Sequence, residues 1–261
     1  MLRLEGLALT YGSGKSGVPA VAGIDADFPS GAIGAIVGPS GCGKTSLVRA
    51  AAGLREPTAG RILVEGRELA GTRPGTAVIF QDYGLLPWKS VEANVELPLL
   101  LRGVGRRERR ERVAPLLEEL GLAGFGRSFP GRLSGGMRQR VAIARALVTG
   151  PDLLLMDEPF SSLDALTRES MQELLLEAQR RRGTTVVIVT HSIEEAVYLA
   201  DLAYVMAGRN PGRVAARLGT GTGGVARGPS YRSEPRFLEL ASALRRSLEE
   251  AQAAAAEEVT R

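Results

Sequence analysis

What this chain has little of bounds it first. A single cysteine, Cys42, excludes an intrachain disulfide framework. With only one histidine, His191, beside it, a zinc site built from Cys and His ligands is excluded too. Lysine is scarce: Lys15, Lys44 and Lys89 are the only three, so arginine supplies the other thirty of 33 basic residues. No apolar run approaches the roughly 18 residues of a membrane-spanning helix; the best stretches, residues 97–101 and 186–189, are far shorter. Met1-Leu2-Arg3-Leu4-Glu5 alternates from the start and carries no signal-peptide segment. The expectation is a cytoplasmic chain.

What is present describes a globular protein. The 261 residues are 44% hydrophobic and 24% charged, enough for one large domain or two lobes with a full core. The net charge of +4 and pI of 9.6 raise the question of nucleic acid. The arginines, however, are spread along the chain and mixed with glutamate. The densest cluster, Arg106-Arg107-Glu108-Arg109-Arg110-Glu111-Arg112, reads as a solvated helix face with internal ion pairs. No aromatic residues are interleaved there for base stacking, so no nucleic-acid partner is expected.

Strands and helices alternate along the chain. Leu2, Leu4, Leu7 and Leu9, then Val21, Ile24 and Phe28, flank a turn-rich stretch and predict an antiparallel hairpin. Residues 32–37 form an apolar run fit for a strand buried on both faces, and residues 45–52 read as a helix. Residues 61–65 and 76–80 read as strands. From Tyr83 to about Thr149 the period turns helical, clearest at residues 111–120 and 138–148. A buried strand at 153–156, an amphipathic helix at 164–181 and a β-branched strand at 184–190 follow. This order predicts an α/β core with a parallel sheet, an N-terminal antiparallel β subdomain and an α-helical subdomain inserted at about 83–150. From Gly219 to Gly224 the composition predicts a flexible linker. Phe237, Leu240, Ala241, Leu244 and Leu248 then keep helical spacing, predicting a short docking helix whose last dozen residues fray.

The segment Gly38-Pro39-Ser40-Gly41-Cys42-Gly43-Lys44-Thr45 fits G-x-x-x-x-G-K-[ST] at every required position, between a buried strand and a helix. Successive N–H groups of such a loop form an anion nest at a helix N-terminus. Lys44 is expected to reach the β- and γ-phosphates and Thr45 to ligate Mg²⁺; Ser46 belongs to the same binding set. Cys42 reads as a small loop residue, secondarily as an oxidisable thiol. Gly14-Lys15-Ser16 imitates the end of this motif, but Leu9 stands where its first glycine should be; it reads as a hairpin turn. Tyr11 could stack on an adenine or be an ordinary strand-end aromatic. The strand at 153–156 delivers Asp157 and Glu158 at its carboxyl end, over the phosphate loop. Alternation predicts opposite faces for the two acids: Asp157 for Mg²⁺, Glu158 as general base for the attacking water. Without the upstream loop, an Asp-Glu pair there would read as a helix cap.

Leu133-Ser134-Gly135-Gly136-Met137-Arg138-Gln139-Arg140 resembles the signature segment of ABC-transporter ATPases. Tyr11, the phosphate loop, Gln81, the signature, Asp157-Glu158, Ser162-Leu163-Asp164 and His191 fall in that family's order over residues 1–218. The block Phe80-Gln81-Asp82-Tyr83-Gly84-Leu85-Leu86-Pro87-Trp88 is similar to the nitrate/sulfonate/taurine importer branch, as is the stretch 232–248. The resemblance implies a P-loop NTPase that binds ATP and Mg²⁺. It implies that Ser134, Gly135 and Gly136 cap the ATP held by a second copy, in a head-to-tail dimer. It further implies that Gln81 touches Mg²⁺ or water, that His191 bonds the γ-phosphate, and that Asp164 crosses the interface. Integral permease subunits and, indirectly, a solute-binding protein are the implied partners, at the cytoplasmic face of the inner membrane. Leu85-Leu86-Pro87-Trp88 reads as a docking groove or equally as subdomain core.

Three positions depart from the family pattern: Arg132 before the signature leucine, Ser192 after the histidine, and Ser161-Ser162 for the commoner Ser-Ala pair. Arg132 changes the charge beside the phosphate-facing helix. The rival readings are a small-molecule kinase on the same loop and a DNA-repair or translation ATPase of the same superfamily. The signature segment argues against the first. The absence of coiled-coil insertions or a second cassette argues against the second.

Overall fold

The computed structural model describes residues 1–12, 17–221 and 227–260, the last three of these by backbone only. In chain order the elements are β1 (Leu2–Tyr11), β2 (Val18–Phe28), β3 (Ile33–Val37), α1 (Lys44–Ala51), β4 (Ala59–Val64), β5 (Arg67–Glu68) and β6 (Thr76–Ile79). Then come α2 (Val91–Leu101), α3 (Arg106–Glu119), α4 (Gly135–Leu147), β7 (Leu153–Asp157), α5 (Ala165–Arg182) and β8 (Thr185–Thr190). The chain closes with α6 (Ile193–Leu199), β9 (Leu202–Ala207), β10 (Arg213–Gly219) and α7 (Pro235–Thr260). The decoy at Gly14 to Ser16 lies outside the described residues, as do 222–224 of the expected linker.

A six-stranded sheet runs in the order β10-β9-β3-β8-β7-β6, and all its pairs are parallel except β9 with β10. Its central strands are buried on both faces, which is why they carry unbroken apolar runs. Alternation along each strand divides the core in two. Leu153, Leu155, Val187 and Val189 face α1 and the antiparallel sheet β2-β1-β4-β5; Leu154, Met156, Val186 and Ile188 face helices α2 to α7. The sheet is thus the middle of three layers.

Four helix starts are closed by their own side chains. Ser90, Ser134, Asp164 and Ser192 each accept a hydrogen bond from the third residue of α2, α4, α5 and α6. On the solvated face of α3, Arg107 pairs with Glu111 at 2.9 Å and Arg112 with Glu108, as the charge pattern predicts. Arg109 instead turns inward to Glu96 of α2, at 3.0 Å.

The C-terminal region differs from expectation. Gly219 is the last residue of β10, and Thr220 is buried with its hydroxyl donating to the Ala200 carbonyl at 2.8 Å, so no linker begins at Gly219. The last helix is 26 residues long rather than short, and Ala251, well past its midpoint, is still buried. Phe237, Leu240 and Leu244 seat α7 in the main core, beside Tyr231, which meets the Phe237 ring edge-on at 5.5 Å. Each such side chain stabilises the fold by roughly 1.5–3 kcal/mol.

Candidate active site

The residues that carry chemistry gather at the carboxyl ends of four adjacent strands, β3, β8, β7 and β6. Each strand ends in a short segment that turns out over the sheet, the position at which doubly wound sheets bind ligands. After β3 the loop of residues 38–43 leads straight into α1. Gly43 has φ 95°, and a Cβ there would lie 2.3 Å from Val21 Cγ1 and 2.8 Å from the Ala20 carbonyl, so only glycine fits. Unlike the four serine- and aspartate-capped helices, α1 has no side-chain cap and no acid in its first turn. Its N–H groups and dipole are therefore directed at an outside anion.

Lys44 is only 5% exposed, and its ammonium donates to the carbonyls of Gly38 at 2.8 Å and Pro39 at 2.9 Å. Cys42 is fully buried, and burial pushes its thiol above the usual range against the pull of Lys44. That environment suits a small packing residue in the loop. Ser46 is buried with its hydroxyl 3.1 Å from Tyr11 Oη, which ties β1 to α1. The Arg55 guanidinium covers one face of the Tyr11 ring at 3.8 Å from its centre.

Asp157 and Glu158 part by a different device from strand alternation. Asp157 is the last residue of β7, whereas Glu158 has already left the strand with φ 46° while its N–H donates to Val189 at 2.8 Å. Burial raises the Asp157 carboxyl, opposed by a hydrogen bond from the Thr45 hydroxyl and by Lys44. The left-handed turn swings Glu158 to the rim. There its Oε2 lies 3.2 Å from His191 Nδ1 and its Oε1 lies 4.0 Å from Lys44 Nζ. His191 is 56% exposed.

Beside α1 a cavity of about 620 Å³ is lined by Thr45, Arg49, Phe80, Gln81, Asp82, Asp157 and Ser162. It brings together all three expected Mg²⁺ residues, Thr45, Gln81 and Asp157. A hydroxyl, an amide oxygen and one carboxylate suit a hard cation completed by phosphate and water. Among the described residues no group of three or more His, Cys, Asp or Glu forms a self-sufficient metal cage.

Ser134, Gly135 and Gly136 line neither this cavity nor the Glu158 rim. They stand beside the start of α5, where a Cβ on Gly136 would lie 2.6 Å from Thr167 Cγ2 and one on Gly135 3.4 Å from Leu163 Cδ2. Ser134 is exposed; its Oγ accepts from Met137 at 3.3 Å, leaving its own O–H free to donate outward. Asp164 is also exposed, and the Thr167 N–H holds its carboxyl below the usual range. Arg132 is exposed next to the signature.

Two residues that sequence reasoning missed support the site. Glu195 is buried behind His191 and accepts from the Thr190 hydroxyl, and burial raises its carboxyl to about 7. The spacing Ser192 to Glu195 is that of a capping box, but the carboxyl goes to Thr190 instead. Asn94 is fully buried and accepts from the Leu86 N–H at 2.8 Å. Its amide donates to Leu86, Lys89 and Ser90 carbonyls at 3.1, 2.9 and 3.0 Å. That knot fixes the loop from which Trp88 projects, 71% exposed, while Leu85 packs against the core.

Comparisons with known proteins point to one family. A model of the ABC transporter family matches residues 21–161. The taurine import ATP-binding protein TauB of Yersinia pestis bv. Antiqua is 46% identical over 218 residues, 84% of each chain. The TauB of Pseudomonas savastanoi pv. phaseolicola is 46% identical over 244 residues, 92% of each chain. Among solved structures, cbiO1 of Clostridium perfringens, part of the ABC transporter complex cbiONQ, superposes with a TM-score of 0.75 at 30% identity. The match covers 84% of this chain and 88% of that one. The ATP-binding cassette MJ0796, in a dimeric post-hydrolysis state bound to ADP and Pi, gives 0.74 at 30% identity, covering 84% and 99%. The chain belongs to the ABC transporter family, as an ATP-hydrolysing, ATP-binding subunit of its nitrate/sulfonate/taurine importer branch.

Proposed function

We propose that this subunit powers uptake of taurine or a related small anion, such as an alkanesulfonate or nitrate, as a head-to-tail dimer acting on a separate membrane permease. One observation carries the reading: the division of the site. Lys44, Thr45, Gln81, Asp157, Glu158 and His191 share the carboxyl edge of the sheet, while Ser134 to Gly136 stand apart beside Asp164. A single chain holds the triphosphate and a base for water but turns its second anion-binding helix elsewhere. Two chains related by a two-fold axis complete each other's sites.

In that dimer the loop N–H groups and Lys44 take the phosphates, and Tyr11 borders the adenine. Thr45, Asp157 and Gln81 would hold Mg²⁺, which supplies neutralisation of phosphate charge when bound. The raised Asp157 carboxyl suits that role, since a cation stabilises its ionised form. Glu158 takes the proton of the attacking water, and His191 fixes the γ-phosphate side of that water. Chemistry of this kind depends on positioning, which the Glu158 turn and the buried Thr190 and Glu195 pair supply.

Among the described residues no helix is long and apolar enough to cross a membrane, so the reading assigns the solute path to another chain. Trp88, held out by Asn94, is the proposed docking point, with the subunit peripheral at the cytoplasmic face. The TauB relatives, at 46% identity, support a sulfonate-type solute. Copurification with the permease and its solute-binding protein tests this. ATPase activity should rise when the binding protein carries taurine or a related anion; stimulation by nucleic acid instead would contradict the importer reading.

A further inference from the structure

Tyr83 is bound at three points. Its hydroxyl lies 2.8 Å from Ser162 Oγ, 79 residues further along the chain. Its carbonyl accepts from the Arg145 guanidinium, which also donates to the Gly84 carbonyl at 2.6 Å. Its own N–H donates to Phe80 at 2.9 Å. The side chain is buried, and the backbone stands at φ 62°, a conformation disfavoured for a bulky residue and kept only where the surroundings over-determine it.

Those three points belong to three functional segments. Phe80 and Gly84 bracket the Gln81 loop at the Asp157 cavity. Ser162 lines the same cavity and opens the segment that runs through Asp164 to Thr167. Arg145 lies on α4, the helix that begins at the signature glycines, and those glycines abut Leu163 and Thr167. A contiguous path therefore leads from Gln81 through Tyr83 and Ser162 to Gly135 and Gly136. Gln81 lines this chain's own nucleotide cavity, and the signature glycines do not.

We propose that Tyr83 is a positioning residue that couples the two nucleotide sites of the dimer by binding the Gln81 loop, the Ser162 turn and the signature helix together. The proposal rests on the head-to-tail reading above. A change at Gln81 when the γ-phosphate leaves is transmitted through the Tyr83 and Ser162 hydroxyls to the glycines that serve the other site. The coupling is a packed network with a shared two-state element, the closed and open dimer.

The test uses the full-length chain with Tyr83→Phe, Ser162→Ala and both together. Each single change removes one hydroxyl and keeps the packing. ATPase rate is measured against ATP concentration, and ADP affinity by equilibrium titration. Two coupled sites allow a Hill coefficient up to about 2. Each single variant should bring it toward about 1 and lower kcat roughly threefold or more with the thermal midpoint unchanged, and Tyr83→Phe should leave ADP affinity unchanged too. The double variant should be no worse than either single one, since both remove the same bridge. A cooperative parent with equally cooperative variants, or additive losses in the double variant, would overturn the Tyr83 assignment alone. A parent with a Hill coefficient of about 1 would overturn the coupling; the dimer reading falls separately, if Glu158→Gln stays monomeric at saturating ATP.

Discussion

At the scale of single residues, the site is defined by where charge is held before substrate arrives. The Lys44 ammonium is buried against two loop carbonyls and 4.0 Å from Glu158, so its hydrogen-bonding capacity is concentrated where phosphate oxygens bind. Lys44→Ala should weaken ATP binding itself by at least about tenfold, roughly 1.4 kcal/mol, in an equilibrium titration. Unchanged affinity would contradict the phosphate-loop assignment. Glu195 makes a second residue-scale prediction. Its carboxyl is raised from 4.5 to about 7, so the folded protein holds a proton that the unfolded chain releases earlier. The stability this contributes is present below about pH 4.5 and is lost as pH rises through about 7. Glu195→Gln removes that dependence. Urea titrations at pH 5 and pH 8 should show the variant gaining on the parent by at most about 3 kcal/mol at the higher pH. Parallel pH dependences would show that burial does not hold the proton.

The phosphate loop and the Asp157-Glu158 pair were legible because each is a local motif whose chemistry depends on adjacent residues. Glu195, Asn94 and the Tyr83 to Ser162 contact were not. Their partners lie across loops or 79 residues away, and no spacing rule links them. The left-handed turn at Glu158 was equally hidden: strand alternation predicts that the two acids diverge, but not that the backbone rather than the pleat parts them.

At the scale of elements, the strands of the parallel sheet were readable because burial on both faces leaves them nearly free of polar residues. The region from α6 to α7 was not. β10 turns Val214, Ala216 and Leu218 inward but leaves them only partly buried at the sheet edge, and α7 ends in an alanine-rich stretch that carries little hydrophobic signal. The spacing of Phe237, Leu240 and Leu244 marks a docking helix, but only the fold shows that it runs on to Thr260 and is still buried at Ala251. Leu244 is fully buried, so Leu244→Ala should cost about 2–5 kcal/mol of unfolding free energy. A loss near zero in chemical denaturation would mean that α7 docks loosely.

At the scale of the whole molecule, the arginine excess is absorbed internally as well as displayed. Arg182 ties α5 to Glu119 of α3, Arg73 pairs with Asp152, and Arg227 bridges Asp201 at 2.9 Å. Planar guanidinium groups suit such two-pronged contacts. Ser134 of the signature segment is exposed, and the segment lines neither the Asp157 cavity nor the Glu158 rim, which is the central structural fact. Glu158→Gln keeps every group that binds ATP and removes the base. The account predicts that this variant, given ATP, sediments as a stable dimer holding two nucleotides and shows no measurable turnover. A variant that remains monomeric at saturating ATP, or that hydrolyses at the parent's rate, would contradict it.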